Sequence, residues 1–502
     1  MNRLSRVGLT AIGVSGALLH GCTVGPNHVP PSSSAPEAWA ESLEGGVAAT
    51  PADLSRWWTN FGDETLDGLV VRAIAGNHDL RSAMARVREA RALRTISGAG
   101  QYPAIDATGS YGNQLRSENI DNGFANENPA IGGIGAETEP TDLYAIGFDA
   151  SWELDLFGHV RRSVEAADAD LSAAEESRRD VLVSLLAELA RNYVDLRSLQ
   201  SRLDIAQRNV ASQEDTLSLA DSRFKGGLTS ELDVVQARSN VERTRSQIPS
   251  LQSSIRQTQH RLAVLTGLQP GSLAAQLDGA KPVPVPPSEI AVGLPSELVR
   301  RRPDIRRAER ELAAASARIG VATADLFPRF MLTGSVGLQS SPLGNLFDTN
   351  SFAYSIGPSV RWNVFDAGRV RANIGVQTAR QEQLLAAYEK TVLVAFEEVE
   401  NSLVAYSREL VRRGFLKTGT DAATRAVELA TERYARGLTG FQDVLDAQRQ
   451  LFALQDDLAL SERSVTASVV SLYKALGGGW EQVSSGVARR DIRAEEPDEA
   501  SR

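Results

Sequence analysis

The sequence predicts an internally duplicated α+β membrane chain, with extended segments and very long helices in each half. Three observations carry that prediction. The segments RFKGGLTSELDVVQA (223–237) and RYARGLTGFQDVLDA (433–447) lie 210 residues apart and share Arg, Gly-Leu-Thr, Asp-Val and a final Ala in register. Two thirteen-residue segments, 144–156 and 352–364, alternate apolar and polar side chains, the period of a two-faced strand. From Leu182 to Phe224, eleven of thirteen residues taken at alternating steps of three and four are apolar, which is a sustained coiled-coil heptad.

The chain opens with a targeting segment. Arg3 and Arg6 precede a mostly apolar run over 7–19 that is too short to span a bilayer, so residues 1–21 read as a signal peptide. The only cysteine follows at once, in Leu19-His20-Gly21-Cys22. That tetrad resembles a bacterial lipobox, with His20 where a small residue is usual, and makes Cys22 the lipidated first residue of the mature chain. Thr23, in place of Asp, fits outer-membrane sorting in signals of this class. An incidental buried cysteine is the alternative; a single cysteine at this one place favours lipidation. Residues 22–62 are then a lipidated N-terminal segment.

Composition excludes several function classes. A net charge of −10 gives no basic footprint for nucleic acid. One cysteine rules out a disulfide within the chain, and five histidines scattered at 20, 28, 78, 159 and 260 offer no Cys/His metal cluster. No nucleophile–His–acid set is visible. Gly132-Gly133-Ile134-Gly135 lacks the strand–turn–helix setting of a phosphate loop. Neither catalysis nor a cofactor is therefore expected. No later run of about 18 apolar residues exists, so no helical membrane span is expected.

Internal matches set the order of elements. Asn77-His78-Asp79-Leu80-Arg81 matches Arg302-Pro303-Asp304-Ile305-Arg306 at an offset of 225, as do Tyr102-Pro103 and Phe327-Pro328. Ile146-Gly147, Trp152 and Gly158 match Ile356-Gly357, Trp362 and Gly368 at an offset of 210. Copy one thus carries 15 extra residues, in the polar stretch RSENIDNGFANENPAIGGIGAE, where an exposed loop tolerates them. Copy one, 63–270, is read as a helix at 63–97, strands near 102–112 and 144–156, and long helices near 160–224 and 229–266. A linker follows at 271–295, stiffened by KPVPVPP (281–287). Copy two, 296–477, repeats the plan: a helix at 296–325, strands near 328–339 and 352–364, and long helices near 370–436 and 440–476. The charged tail, 478–502, lacks periodicity.

The strands are long for a soluble protein, in which five or six residues are typical. About ten residues with aromatic ends and one polar face suit a membrane barrel better than a half-exposed strand of a soluble sandwich. Four strands cannot close a barrel, and open edges do not survive in lipid, where each unpaired amide costs several kcal/mol. Strands placed in a membrane would therefore force the chain to oligomerise. Neither 160–224 nor 370–436 contains proline. About 65 helical residues make a rod of roughly 100 Å, far beyond the needs of a globular domain. The heptad of copy two, from Val392 to Tyr434, is weaker, with Glu409 and Arg413 on the seam. An ordinary long bundle is the plainer alternative.

With these elements in place, the chain resembles the outer membrane factor family, the TolC-like and NodT-like efflux ducts. The resemblance rests on Cys22 with Val24-Gly25-Pro26, Trp57-Trp58 before Phe61, Asn77-His78-Asp79-Leu80, Arg301-Arg302-Pro303-Asp304-Ile305, the two Gly-Leu-Thr bends and Ala475-Leu476-Gly477-Gly478-Gly479-Trp480. Asn27-His28 stands where Asp-Tyr is common. The resemblance implies a homotrimer whose four strands per chain make a 12-stranded outer-membrane β-barrel, continued by a coiled-coil α-barrel in the periplasm of a Gram-negative bacterium. It implies an exit duct for small toxic compounds, working with a periplasmic adaptor and an inner-membrane transporter of the RND type, and tethered by lipid on Cys22.

The family pattern also places the adaptor at the turns Gly226, Gly227, Leu228, Thr229 and Gly437, Leu438, Thr439, and a gate on the copy-two hairpin. Asp443 and Asp446 are spaced i, i+3 and share one helix face, so three copies would give two rings of carboxylates that attract cations. Tyr434 matches a family gate tyrosine, where copy one has Phe224. Copy one keeps Asp233 but has Gln236 where Asp446 stands. Thr439 replaces a basic residue found in some members. Each Asp also has a plain reading, as helix-start charge that complements the dipole. Two rival functions stay open at this point: a duct for type I protein secretion, and a non-conducting coiled-coil lipoprotein scaffold.

Overall fold

A computed structural model describes residues 23–32, 35–51, 53–115 and 140–481. Cys22, the signal peptide, residues 116–139 and the chain beyond Glu481 lie outside the described residues. In chain order the elements are β1 (Val47–Ala48), α1 (Glu64–Gly76), α2 (His78–Ala99), β2 (Ala104–Gln114), β3 (Thr141–Leu154), α3 (His159–Lys225), α4 (Glu231–Arg245), α5 (Gln247–Leu265) and α6 (Ala274–Leu277). Then come β4 (Ile290–Ala291), α7 (Pro295–Arg301), α8 (Pro303–Ala324), β5 (Arg329–Ser340), β6 (Phe352–Arg361), α9 (Arg369–Ala435) and α10 (Phe441–Ala475). The chain forms two compact units. One comprises the N-terminus to Pro30, Glu89–Leu171 and Arg310–Leu385; the other comprises Pro31–Arg88, Ser172–Glu309 and Ala386 onward.

The first unit holds a four-stranded antiparallel sheet in the order β2-β3-β5-β6. The registers put one set of side chains on a common face. Its rows are Gly109, Ile146 and Leu338 with Phe352; Ala107, Phe148 and Val336 with Tyr354; Ile105, Ala150 and Gly334 with Ile356. The opposite face carries Asp106, Asp149, Ser335 and Ser355 in one row and Thr108, Gly147, Gly337 and Ala353 in the next. The apolar face is bare: Phe148 is 58% exposed and Ile356 73%. β2 and β6 each have one unpaired edge among the described residues. Gly147 and Gly337 meet where β3 crosses β5; a Cβ on Gly337 would lie 2.4 Å from the Ile146 carbonyl oxygen. At one end of the sheet the Trp152 indole donates to the Gln101 carbonyl (3.0 Å) and Trp362 to that of Leu326 (3.1 Å). These two bonds are the same bond in the two copies.

In the same unit the segment after Cys22 is held by Arg162, which is buried on the first turn of α3. Its guanidinium donates to the carbonyls of Val24 (3.0 Å) and Gly25 (3.2 Å) and to the Asn27 side chain (2.8 Å). Gly25 has φ +86° and faces Gly320, so closely that a Cβ would lie 2.4 Å from Gly320 Cα. The Val-Gly-Pro motif is therefore a backbone fit between two glycines, clamped by one arginine.

The second unit is built on a core around Trp57, Trp58, Phe61, Leu186, Leu189, Tyr193 and Tyr473. Trp57 is fully buried and stacks on Tyr473 at 5.3 Å. Gly478 and Gly479 close this core: a Cβ on Gly479 would lie 2.6 Å from Leu186, and one on Gly478 would lie 3.0 Å from Trp57. The triple glycine before Trp480 is thus a packing requirement. The matched motifs at Asn77 and Arg302 do the same work in each copy. Asn77 donates from its amide to the carbonyl of Leu265, the last residue of α5, at 3.0 Å. Arg302 donates to the carbonyl of Ala475, the last residue of α10, at 2.9 Å. Each satisfies a carbonyl left unpaired at a helix C-terminus.

Four elements differ from the sequence reading. The single helices expected at 63–97 and 296–325 are each a pair, joined at Asn77 (ψ 131°) and Arg302 (ψ 125°). Pro303 forces that extended conformation on Arg302, and Asn77 reaches it by capping α2, accepting from the Leu80 amide at 3.0 Å. The helix expected near 229–266 breaks at Ser246 into α4 and α5. Pro249 lacks an amide hydrogen and its ring crowds the Arg245 carbonyl, whereas copy two has Ala459 in the matching place and α10 runs through. The strand expected at 352–364 ends at Arg361, where its last partner, Arg329, begins β5. The alternation of Trp362 and Val364 continues past the ladder. α3 and α9 each run 67 residues, about 100 Å of helix.

Candidate functional site

The two Gly-Leu-Thr bends are the same turn built twice in the second unit. After α3 the Gly227 amide donates to Phe224 (2.9 Å) and the Leu228 amide to Arg223 (2.9 Å). After α9 the Gly437 amide donates to Tyr434 (2.9 Å) and the Leu438 amide to Arg433 (2.9 Å). This crossed pair is a Schellman ending, which needs a left-handed residue at the turn. Gly227 (φ +69°) and Gly437 (φ +73°) supply it. Gly226 has no left-handed backbone, and Arg436 occupies its place in copy two, so the first turn requires glycine at Gly227 alone. Leu228 and Leu438 point outward, 68% and 64% exposed, while Thr229 and Thr439 donate their hydroxyls to Asp233 and Asp443.

Tyr434 is brought to copy one rather than to the copy-two carboxylates. Its hydroxyl donates to Asp233 Oδ2 at 3.1 Å, linking α9 to α4. The ring is 2% exposed and packs with Ala220, Val234, Ala237, Phe441, Val444 and Leu445 in a small core of its own. Burial, aided by the Asp233 carboxylate, holds the phenol above its ordinary pKa, so it stays a donor. Arg223 completes the contact. Its guanidinium lies over the Tyr434 ring, 4.8 Å from the centroid, and donates to the Ala435 carbonyl at 2.9 Å. The sequence reading missed this role of Arg223; the only signal was its place at the start of the repeated segment. Phe224, the counterpart of Tyr434, is 41% exposed instead. Tyr434→Phe is expected to loosen the link by about 1 kcal/mol, the net value of one hydrogen bond. Faster hydrogen exchange of the amides at 434–440 is the readout.

Asp443 and Asp446 both lie exposed on the first turns of α10. Asp446 accepts from Gln442 (2.9 Å) and pairs loosely with Arg449 (3.6 Å), a cation that the sequence reading left out. Between the small tip core and the large core lies a buried polar layer. Gln448 donates to Thr216 (2.8 Å), Asn209 donates to Gln455 (2.7 Å), and Gln213 is 3% exposed with its carbonyl oxygen unpartnered. Gln213 is one of the two polar breaks in the α3 heptad. Polar layers of this kind fix register in coiled coils at some cost in stability. Cys22 lies outside the described residues, but Thr23 beside it packs against Gly158, at the turn between β3 and α3.

A family model described as outer membrane efflux protein matches residues 69–268 and 294–478, one stretch in each copy. The pyoverdine export outer membrane protein OpmQ of Pseudomonas aeruginosa is 33% identical over 474 residues, covering 94% of this chain and 97% of that protein. The toluene efflux pump outer membrane protein TtgI of Pseudomonas putida is 33% identical over 471 residues, covering 92% and 96%. Among solved structures, the outer-membrane channel OprN is similar with a TM-score of 0.85 and 35% identity, over 91% of this chain and 100% of that one.

Proposed function

This chain belongs to the outer membrane efflux protein family, and from that membership we propose that it is the exit duct of a tripartite pump. The observation that supports a duct most directly is the sheet: apolar on one face, polar on the other, with both edges unpaired among the described residues. In hydrocarbon such edges need partners. Three copies joining β6 to β2 close twelve strands around a polar lumen, and the helices occupy the periplasm. Lipid on Cys22 anchors the chain; Thr23 packs at Gly158 on the β3–α3 turn, which follows shortly after Trp152, whose indole suits the membrane interface. The tip turns, with Leu228 and Leu438 outermost, dock a periplasmic adaptor, and an inner-membrane transporter supplies the energy.

The gate is the ring of copy-two carboxylates. Within one chain Tyr434 satisfies Asp233. The duplication maps that pair onto Phe224 and Asp443. Phe224 has no hydroxyl to give Asp443. Asp443, with Asp446 one turn on, is exposed and offers its carboxylate to cations. Relatives named for pyoverdine export and toluene efflux favour small-molecule cargo over secreted protein.

Planar-bilayer conductance of the purified protein tests both levels. Asp443→Asn with Asp446→Asn is expected to raise conductance or relieve block by a multivalent cation. Unchanged conductance and block would remove the gate assignment and leave the duct. A protein that never conducts, with or without the change, would be the scaffold.

A further inference from the structure

We propose that the lipid-facing side of the sheet holds one ordered acyl chain per subunit, in a groove closed by Phe347. The inference rests on the outer-membrane reading above and goes beyond it, because it places a defined lipid site on one patch of the sheet. The groove measures about 720 Å³. Its floor is the small residues Ala107 and Gly109 on β2, and its walls are Ile146, Phe148, Leu338 and Phe347. Among the described residues of one chain, a Cβ on Gly109 would meet nothing within 4 Å, so this part of the floor carries no side chain.

The loop between β5 and β6 is built to present Phe347. Two short 3-10 turns, Leu343–Asn345 and Thr349–Ser351, are tied by the Ser351 hydroxyl to the Asn345 carbonyl (2.6 Å) and by the Ser340 hydroxyl to that of Pro342 (2.8 Å). Leu346 plugs the loop, 7% exposed, while Phe347 is 76% exposed beside the apolar face. An ordered loop that buries one leucine and leaves the next aromatic bare costs free energy in water and none in hydrocarbon. The occupant is a chain rather than a headgroup. Among the described residues at this end of the sheet (113–115, 140–143 and 339–352), the only charged ones are Asp142 and Asp348, which repel an anionic headgroup.

The test uses the full chain with Phe347→Cys, labelled with bimane, in phosphatidylcholine vesicles brominated along the acyl chain. The unsubstituted chain, labelled in parallel, gives the contribution of Cys22. The label is expected to lose most of its fluorescence to the brominated lipid. Adding Gly109→Phe, which fills the floor, is expected to restore much of it. The trimer band and the β signal in circular dichroism show that each variant is assembled, so loss of the duct and loss of the lipid site read differently. No quenching, or equal quenching with the floor filled, overturns the proposal. Quenching that appears only after deletion of residues 120–135 also overturns it, because that segment and not lipid would then cover the groove.

Discussion

Replacing Arg302 by alanine is expected to destabilise the second unit by about 3–5 kcal/mol, the usual cost of removing one partner from a buried ion pair. Arg302 is 7% exposed and serves three groups at once. It donates to Asp304 (2.6 and 3.0 Å), to Glu398 (2.7 Å) and to the Ala475 carbonyl that ends α10. Alanine strands two carboxylates and one helix end. Burial alone would push the Asp304 carboxyl up, yet the bonds and charge of Arg302 outweigh it and hold its pKa below the ordinary range. A folded pKa below the unfolded one stabilises above the unfolded value, near 4, and that contribution is lost as pH falls through the folded value. The natural chain and the variant should therefore differ most at neutral pH and converge below about pH 4. Thermal loss of helical signal across that range checks both size and sign. A gap that stays constant with pH would assign the effect to the α10 cap alone.

Gly337→Val is expected to abolish assembly of the sheet. The new Cβ would stand 2.4 Å from the Ile146 carbonyl and 2.8 Å from Gly147 Cα, both backbone, so no side chain can yield to it. Overpacking a core costs about 1–3 kcal/mol when rotamers absorb it. Here the β3–β5 pairing itself must open, and that pairing joins the two copies. Gly357→Val is the control. It lies on the same face of the sheet, but its Cβ would meet nothing within 4 Å, and assembly should persist. Outer-membrane extraction followed by the trimer band on gels separates the outcomes. A normal trimer for Gly337→Val would show that the close glycine contact is not required.

Much of this architecture was legible because it rests on period and repetition. The alternation through Ile146, Phe148 and Trp152 and through Ile356 marked two strands, and the offsets 210 and 225 marked the two copies. What was not legible depended on single contacts. Pro249 and Pro303 each divide a stretch read as one helix. Arg162, Arg223 and Arg302 look like ordinary solvated arginines until their burial is known. Asp443 and Asp446 were legible as two carboxylates on one helix face; Tyr434 was legible as the position where the copies differ, but its partner, Asp233, comes from the other copy. No periodic signal reaches across some 200 residues to join one side chain to another.

The indole bonds of Trp152 and Trp362 and the helix-end bonds of Asn77 and Arg302 show two copies that still carry out the same local tasks. A ring made from one copy alone would need six identical members, and any change would appear at all six places together. Joining two copies in one gene lets alternate positions drift apart. One tip contact can then keep its bond, as Tyr434 does to Asp233, while the matched pair, Phe224 and Asp443, has no hydroxyl to form it.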